Sequence, residues 1–95
     1  MRLMGKERLQ KFREKHSDAR SQLDSWVAEV ENADWKTSHD LKVRYPKVSI
    51  LGKQQAIFDI CWNKYRIWVK VAYQTKIVLI KAVGTHKEYE KWKIE

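Results

Sequence analysis

The sequence predicts an α+β fold, with an N-terminal strand and helices packed on one face of a largely antiparallel sheet. Three observations predict it. Apolar residues recur at helical spacing before Pro46 and alternate at strand spacing after it. The helical and extended segments are segregated along the chain and joined by short turns, the pattern of an α+β arrangement. The chain has 95 residues and a mass of 11.5 kDa, enough for one modest core, so residues 1–95 read as a single domain.

Met1 to Met4 reads as a short strand ending at Gly5, and Lys6 to His16 as a helix with Leu9 and Phe12 on its apolar side. Ser17 and Asp18 are a helix start signal, since both side chains accept from orphan N–H groups. Leu23, Trp26, Val27 and Val30 follow at i, i+3, i+4 and i+7, the clearest helical stripe in the chain, which ends near Asn32 and Ala33. Thr37 to Asp40 is a second cap cluster before a short helix through Leu41 to Arg44. Pro46 disfavours helix at Tyr45 and stops it.

Val48 to Leu51 reads as a strand or edge segment, and Gly52-Lys53 as a turn. Gln55 to Ile60 alternates, with Ala56, Phe58 and Ile60 on one face. From residue 64 the alternation is cleaner. Tyr65, Ile67, Val69 and Val71 face one way, and Lys64, Arg66, Trp68 and Lys70 the other. Ile77 to Val83 is almost continuously apolar, as expected of a central strand covered on both faces. Gly84 permits a bend that ends it, and Lys87 to Ile94 is a short helix or tail. The stripe of the second helix, which is acidic on its other side, covers the sheet's apolar face. Leu23, Trp26, Val27 and Val30 are expected against Ile67, Val69 and Ile80.

Charge is distributed unevenly. Lys and Arg outnumber Asp and Glu by 20 to 12, a net +8. Residues 1–16 carry six basic and two acidic groups (+4), residues 17–40 two and six (−4), and residues 41–95 twelve and four (+8). The C-terminal part therefore holds the anion-binding potential, and a polyanion such as nucleic acid is the expected partner. A single cysteine, Cys61, excludes an internal disulfide framework and fits a reducing cytoplasm. No signal peptide and no long apolar run point to export or a membrane.

Several chemistries lack their residues. Cys61 has no CxxC partner for zinc, and three glycines build neither a phosphate-binding nor a dinucleotide loop. Asp59, Glu88, Glu90 and Glu95 are too scattered for a two-metal carboxylate site, so no metal or cofactor is expected. The basic and aromatic row of Lys64, Arg66, Trp68 and Lys70 suits a single-stranded nucleic acid, with alternate side chains about 6–7 Å apart and Trp68 free to stack a base. His86, beyond Gly84, is expected at the sheet rim beside that row. RNA cleavage needs a base for the 2′-OH, an acid for the departing 5′-oxygen, and cations for the charge that builds on phosphorus. His86 and Tyr89 suit the proton roles, in either assignment, and Arg66 the electrostatic one. Lys53, Lys87 and Lys91 add cations for binding. His16 and His39 read as structural or capping residues, and Cys61 as a small core or turn residue.

Asn63-Lys64-Tyr65-Arg66-Ile67, followed one strand later by Val83-Gly84-Thr85-His86-Lys87-Glu88-Tyr89, resembles the HigB family of RelE-like toxins. Ala33-Asp34-Trp35-Lys36, Asp40-Leu41-Lys42 and Tyr45-Pro46 extend the resemblance to most of the chain. It implies a cytoplasmic toxin of a type II toxin–antitoxin system, an endoribonuclease that cleaves mRNA in the A site of the small ribosomal particle. It also implies a HigA-like helix-turn-helix antitoxin, with operator DNA bound only through the antitoxin complex. The family's functional positions match Arg66, His86 and Tyr89. Two positions depart: Trp62 stands where many relatives have Gly, and Glu90 where many have Asp. Two other readings stand beside cleavage: a non-catalytic RNA- or ribosome-binding module using the same face, and an inert member of a protein complex, which leaves the charge surplus unused.

Overall fold

The computed structural model describes residues 1–94; Glu95, counted among the scattered acids, lies outside them. Strand β1 (Arg2–Met4) leads to helix α1 (Lys6–Lys15), a 3₁₀ turn (Ser17–Ala19), and helices α2 (Arg20–Asn32) and α3 (Ser38–Arg44). Strands β2 (Ser49–Leu51), β3 (Gln55–Ile60), β4 (Tyr65–Ala72) and β5 (Ile77–Thr85) follow, then the one-turn helix α4 (His86–Tyr89). The sheet order is β1-β5-β4-β3-β2. β1 runs parallel to β5 and every other pair is antiparallel. The α+β expectation holds: α1, α2 and α3 pack on one face of a five-stranded, mostly antiparallel sheet, and the single turn of α4 lies against the other at Gly84.

The alternation in β4 becomes the core. Tyr65, Ile67, Val69 and Val71 are buried, together with Val78 and Ile80 of β5 and Ala56, Phe58 and Ile60 of β3. From the helices come Leu9, Phe12, Leu23, Trp26, Val30 and Leu41. Trp26 meets the Phe58 ring edge-on at 5.3 Å, and Trp35 and Tyr45 gather round the same ring. Val27, expected in the buried stripe, is only partly covered.

Four local expectations are corrected. Asp18 makes no helix cap. Its carboxylate instead accepts from Lys64 Nζ at 2.6 Å and Tyr65 Oη at 2.8 Å, a charged and a hydroxyl donor that outcompete backbone amides. Helix α3 begins earlier than expected, because Thr37 and Asp40 form a reciprocal capping box. β5 is not covered on both faces: Leu79 is 41% exposed, since only one helical layer exists and α4 covers just the strand's C-terminal end. The strand also runs through Gly84 to Thr85, so Gly84 makes no bend there.

The β3–β4 turn departs most from ordinary backbone. Cys61, Trp62 and Asn63 have φ of 55°, 57° and 74° in succession. Each non-glycine residue in this left-handed region costs about 1–2 kcal/mol. The turn is held by Gln22, whose Oε1 accepts from the Cys61 amide at 2.9 Å, and by the Lys64 amide donating to the Cys61 carbonyl at 3.1 Å. Among the described residues no helix is long and apolar enough to cross a membrane.

Candidate active site

Period two in β4 sends Arg66 to the sheet face away from the helices, opposite Asp59 of β3 and Gly84 of β5. Its Nε lies 3.0 Å from Asp59 Oδ1, and its Nη1 donates to the Asn63 carbonyl at 2.6 Å. The side chain is only 12% exposed, so the guanidinium is held in one orientation by groups of the chain itself. The carbonyl it uses belongs to the left-handed turn, which links that backbone conformation to the position of the cation.

Helix α4 supplies the other side. Thr85 Oγ1 accepts from the Glu88 amide at 3.2 Å, and Glu88 Oε1 accepts from the Thr85 amide at 3.0 Å. This capping box turns the chain back over the outer face immediately after β5. The backbone donor at Thr85 holds the Glu88 carboxyl below its ordinary range. Gly84 makes the turn fit, because a Cβ there would lie 3.0 Å from Glu88 Cβ and 3.1 Å from Trp92 Cζ2.

The result is an aromatic and cationic line. Arg66 Cζ lies 5.3 Å from the Tyr89 ring centre, and the Tyr89 and His86 rings are 5.9 Å apart. His86 Nε2 is 3.1 Å from Glu90 Oε1 one helical turn on, with both side chains more than half exposed. Trp92 meets Tyr89 edge-on at 5.7 Å and stacks on Trp68 at 6.0 Å. Trp68 Nε1 donates to Gln55 Oε1 at 2.9 Å, and Lys81 Nζ lies 5.0 Å from the Trp68 ring centre.

Arg66, His86 and Tyr89, singled out in the sequence, are therefore brought to one rim. Lys87 and Lys91 are exposed on and just after α4. The expected row along β4 is not a bare one. Lys64 turns to Asp18 in the helical layer and lies over the Tyr65 ring. The stacking face of Trp68 is shared with Trp92, because α4 carries the tail across the sheet. Lys70 is exposed four residues beyond Arg66, about 13 Å along the strand. It pairs with Gln55 beside the exposed turn that carries Lys53. These two lysines thus lie at the far end of the hairpin from His86 and Tyr89.

Sequence reasoning missed Asp59, Glu90 and Trp92 as parts of this arrangement. Glu90 was legible in principle, since its i+4 spacing from His86 places the two side chains together on a helix. Asp59 required the hairpin register, and Trp92 the path of the tail. Cys61 sits in the turn, where burial pushes its thiol up, a direction that opposes nucleophilic use. Among the described residues no three of His, Cys, Asp and Glu are grouped as metal ligands would be.

The family model for HigB toxins, described as the RelE-like toxic component of a toxin–antitoxin system, matches residues 19–92, which include Asp59, Arg66, Trp68, His86, Tyr89, Glu90 and Trp92. No curated protein matches the chain.

Proposed function

The chain belongs to the HigB toxin family, and from that premise we propose that this toxin acts as an endoribonuclease on mRNA engaged by the ribosome. The observation that carries the proposal is the convergence of Arg66, Tyr89 and His86 on one rim, a bidentate cation beside two proton-transfer groups. Residues in fixed mutual positions are what in-line attack at a phosphate requires. The substrate's 2′-oxygen loses its proton, bonds to phosphorus and displaces the 5′-oxygen, which takes up a proton. The products are a 2′,3′-cyclic phosphate and a 5′-hydroxyl.

His86 is the principal proton carrier. With Nε2 held by Glu90, its Nδ1 remains for the substrate. Tyr89 orients the phosphate or donates the second proton. Arg66, always charged and able to grip two oxygens, stabilises the charge that builds at attack. The neighbouring carboxylates have other duties, Asp59 on Arg66, Glu88 on the cap and Glu90 on His86, so the scheme routes no step through a metal.

A second reading, an RNA- or ribosome-binding module without cleavage, is favoured by one observation: Arg66 already spends Nε and Nη1 within the chain. One experiment separates the two. Primer extension on cellular mRNA after induction should show new 5′ ends, lost with His86→Ala and with Arg66→Lys, which keeps charge but not the fork. Loss of a general acid or base costs about 10²–10⁴ in rate. On a purified ribosome complex, a single 2′-deoxy substitution at the cut position should abolish cleavage. Continued cleavage of that substrate would mean that water is the nucleophile, and the roles given to Arg66 and His86 would fall.

A further inference from the structure

The edge of the sheet opposite β1 is only partly closed. β2 pairs with Gln55 to Ile57 and stops there. Among the described residues no strand lies beside β3 over Phe58 to Ile60 on that side. That open length borders a cleft of about 440 Å³, walled by Tyr45, Pro46 and Val48 on one side and by Phe58 and Trp62 on the other. Arg44 and Lys47 stand on its rim. Arg44 is already paired with Glu29 at 2.6 Å, which leaves Lys47 as the free cation among the described rim residues.

Trp62 stands at the mouth of this cleft with 93% of its surface exposed. Its indole contributes no burial to the fold, and its backbone occupies a region that side chains avoid. The backbone on either side of it is nevertheless held. The turn is tied to Gln22 on α2 and, through the Asn63 carbonyl, to Arg66. A large ring on a braced turn, beside an open strand edge and an apolar cleft, is a preorganised anchor for a partner.

We propose that this cleft receives an extended, acidic segment of the antitoxin, which adds as a strand beside Phe58 to Ile60 with Trp62 as its anchor. An unpaired strand edge presents the amide and carbonyl pattern that an extended peptide completes. The apolar walls suit alternate side chains of such a strand. Lys47 and the chain's net +8 favour acidic residues in the segment. A nucleic acid is the poorer occupant, because it cannot pair with a strand edge and the described rim offers one free cation. The inference rests on the antitoxin partner that the family implies and not on the cleavage chemistry. The docked strand lies next to Asp59 and Asn63, the two residues that hold Arg66, so neutralisation reaches the catalytic cation from its supporting side.

The test uses the purified cognate antitoxin with the intact toxin. Hydrogen exchange on complex formation should slow at the amides of Phe58 to Asn63. Trp62→Ala should raise the Kd about 30-fold or more, the scale of an interfacial anchor. This change alters no buried contact, and an unchanged urea midpoint checks that the variant is folded. Expressed alone, Trp62→Ala should arrest growth as the parent does, and the antitoxin should rescue the parent but not the variant. A Kd within threefold of the parent, protection confined to the face around Arg66 and α4, or no complex at all would overturn the inference. So would a Trp62→Ala chain that loses RNA cleavage while keeping antitoxin affinity, which would assign the cleft to RNA. If the parent fails to arrest growth, the toxin reading fails, while exchange and affinity still decide the docking site.

Discussion

A methyl group at position 84 would strike α4. Built on the backbone, it lies 3.0 Å from Glu88 Cβ and 3.1 Å from Trp92 Cζ2, where ordinary contact begins near 3.4 Å. Gly84→Ala must therefore move the neighbours by a few tenths of an ångström or strain the strand, and overpacking of this kind costs about 1–3 kcal/mol. The two routes differ in stiffness. Gly84 sits in β5 paired with Arg66 of β4, whereas α4 is a single turn of four residues that meets the sheet through side chains such as Tyr89 beside Arg66. The helix gives way first, carrying His86, Tyr89 and Trp92 with it. Global stability should change by less than about 1 kcal/mol, because the displacement stays in α4 and at Trp92, outside the buried core. Catalysis should suffer more: misplacement by 1 Å can cost about 10²-fold, so a shift of about a third of that should cost about fivefold. The assay pairs a urea midpoint with single-turnover cleavage on ribosome-bound mRNA, and tryptophan fluorescence reports the Trp68–Trp92 stack. Altered fluorescence with undiminished cleavage would refute the reasoning, since the α4 residues would then be dispensable where they stand. A loss of more than about 3 kcal/mol would place the strain in the sheet.

Trp26→Ala should destabilise by about 3–5 kcal/mol, the cost of emptying a large buried aromatic site that is only 3% exposed, with the loss of its edge contact to Phe58 included; a denaturant shift worth less than about 1 kcal/mol would contradict the packing. Asp18 should make stability acid-sensitive. The Lys64 ammonium first, and then the Tyr65 hydroxyl, hold its carboxyl below the ordinary value. A depressed folded pKa adds stability above the unfolded value of about 3.9, and that stability is lost as pH falls through the folded value. Urea midpoints of Asp18→Asn should accordingly fall less than those of the parent between about pH 5 and pH 2. For single-stranded RNA, each phosphate contact removed should flatten the log–log salt dependence by about 0.7. Lys70→Ala and Lys87→Ala should each show this, whereas Lys64→Ala should show less, since Asp18 already engages that ammonium; equal effects from all three would place Lys64 on the RNA.

The toxin's likeness to its family resided in short motifs, and those motifs proved to be structural neighbours. Val83 to Tyr89 spans the end of β5 and all of α4, and Asn63 to Ile67 spans the turn and the start of β4. The backbone ties them directly, with the His86 amide donating to the Lys64 carbonyl at 3.3 Å. Their spacing in sequence reflects one hairpin, which is why two separated runs of residues could be read together. The partners of the proposed catalytic groups are less legible. Asp59 reaches Arg66 only through the register of β3 against β4, and that register depends on where the turn places Cys61, Trp62 and Asn63.

The sequence by itself determined the order and type of the elements and most of the buried stripe. Periodicity is local, and the alternation of Tyr65, Ile67, Val69 and Val71 was enough to divide β4 into a buried and an outer face. Capping chemistry is local too: Thr37 with Asp40 marks a helix start within four residues. Only the tertiary structure decided how the outer face is used. The identical alternation that placed Lys64, Arg66, Trp68 and Lys70 in one row was silent on what folds back over it. Asp18 draws Lys64 from 46 residues away, and Trp92 returns across the sheet to cover Trp68. Period two fixes the direction in which a side chain leaves a strand; what it meets there depends on residues distant in sequence.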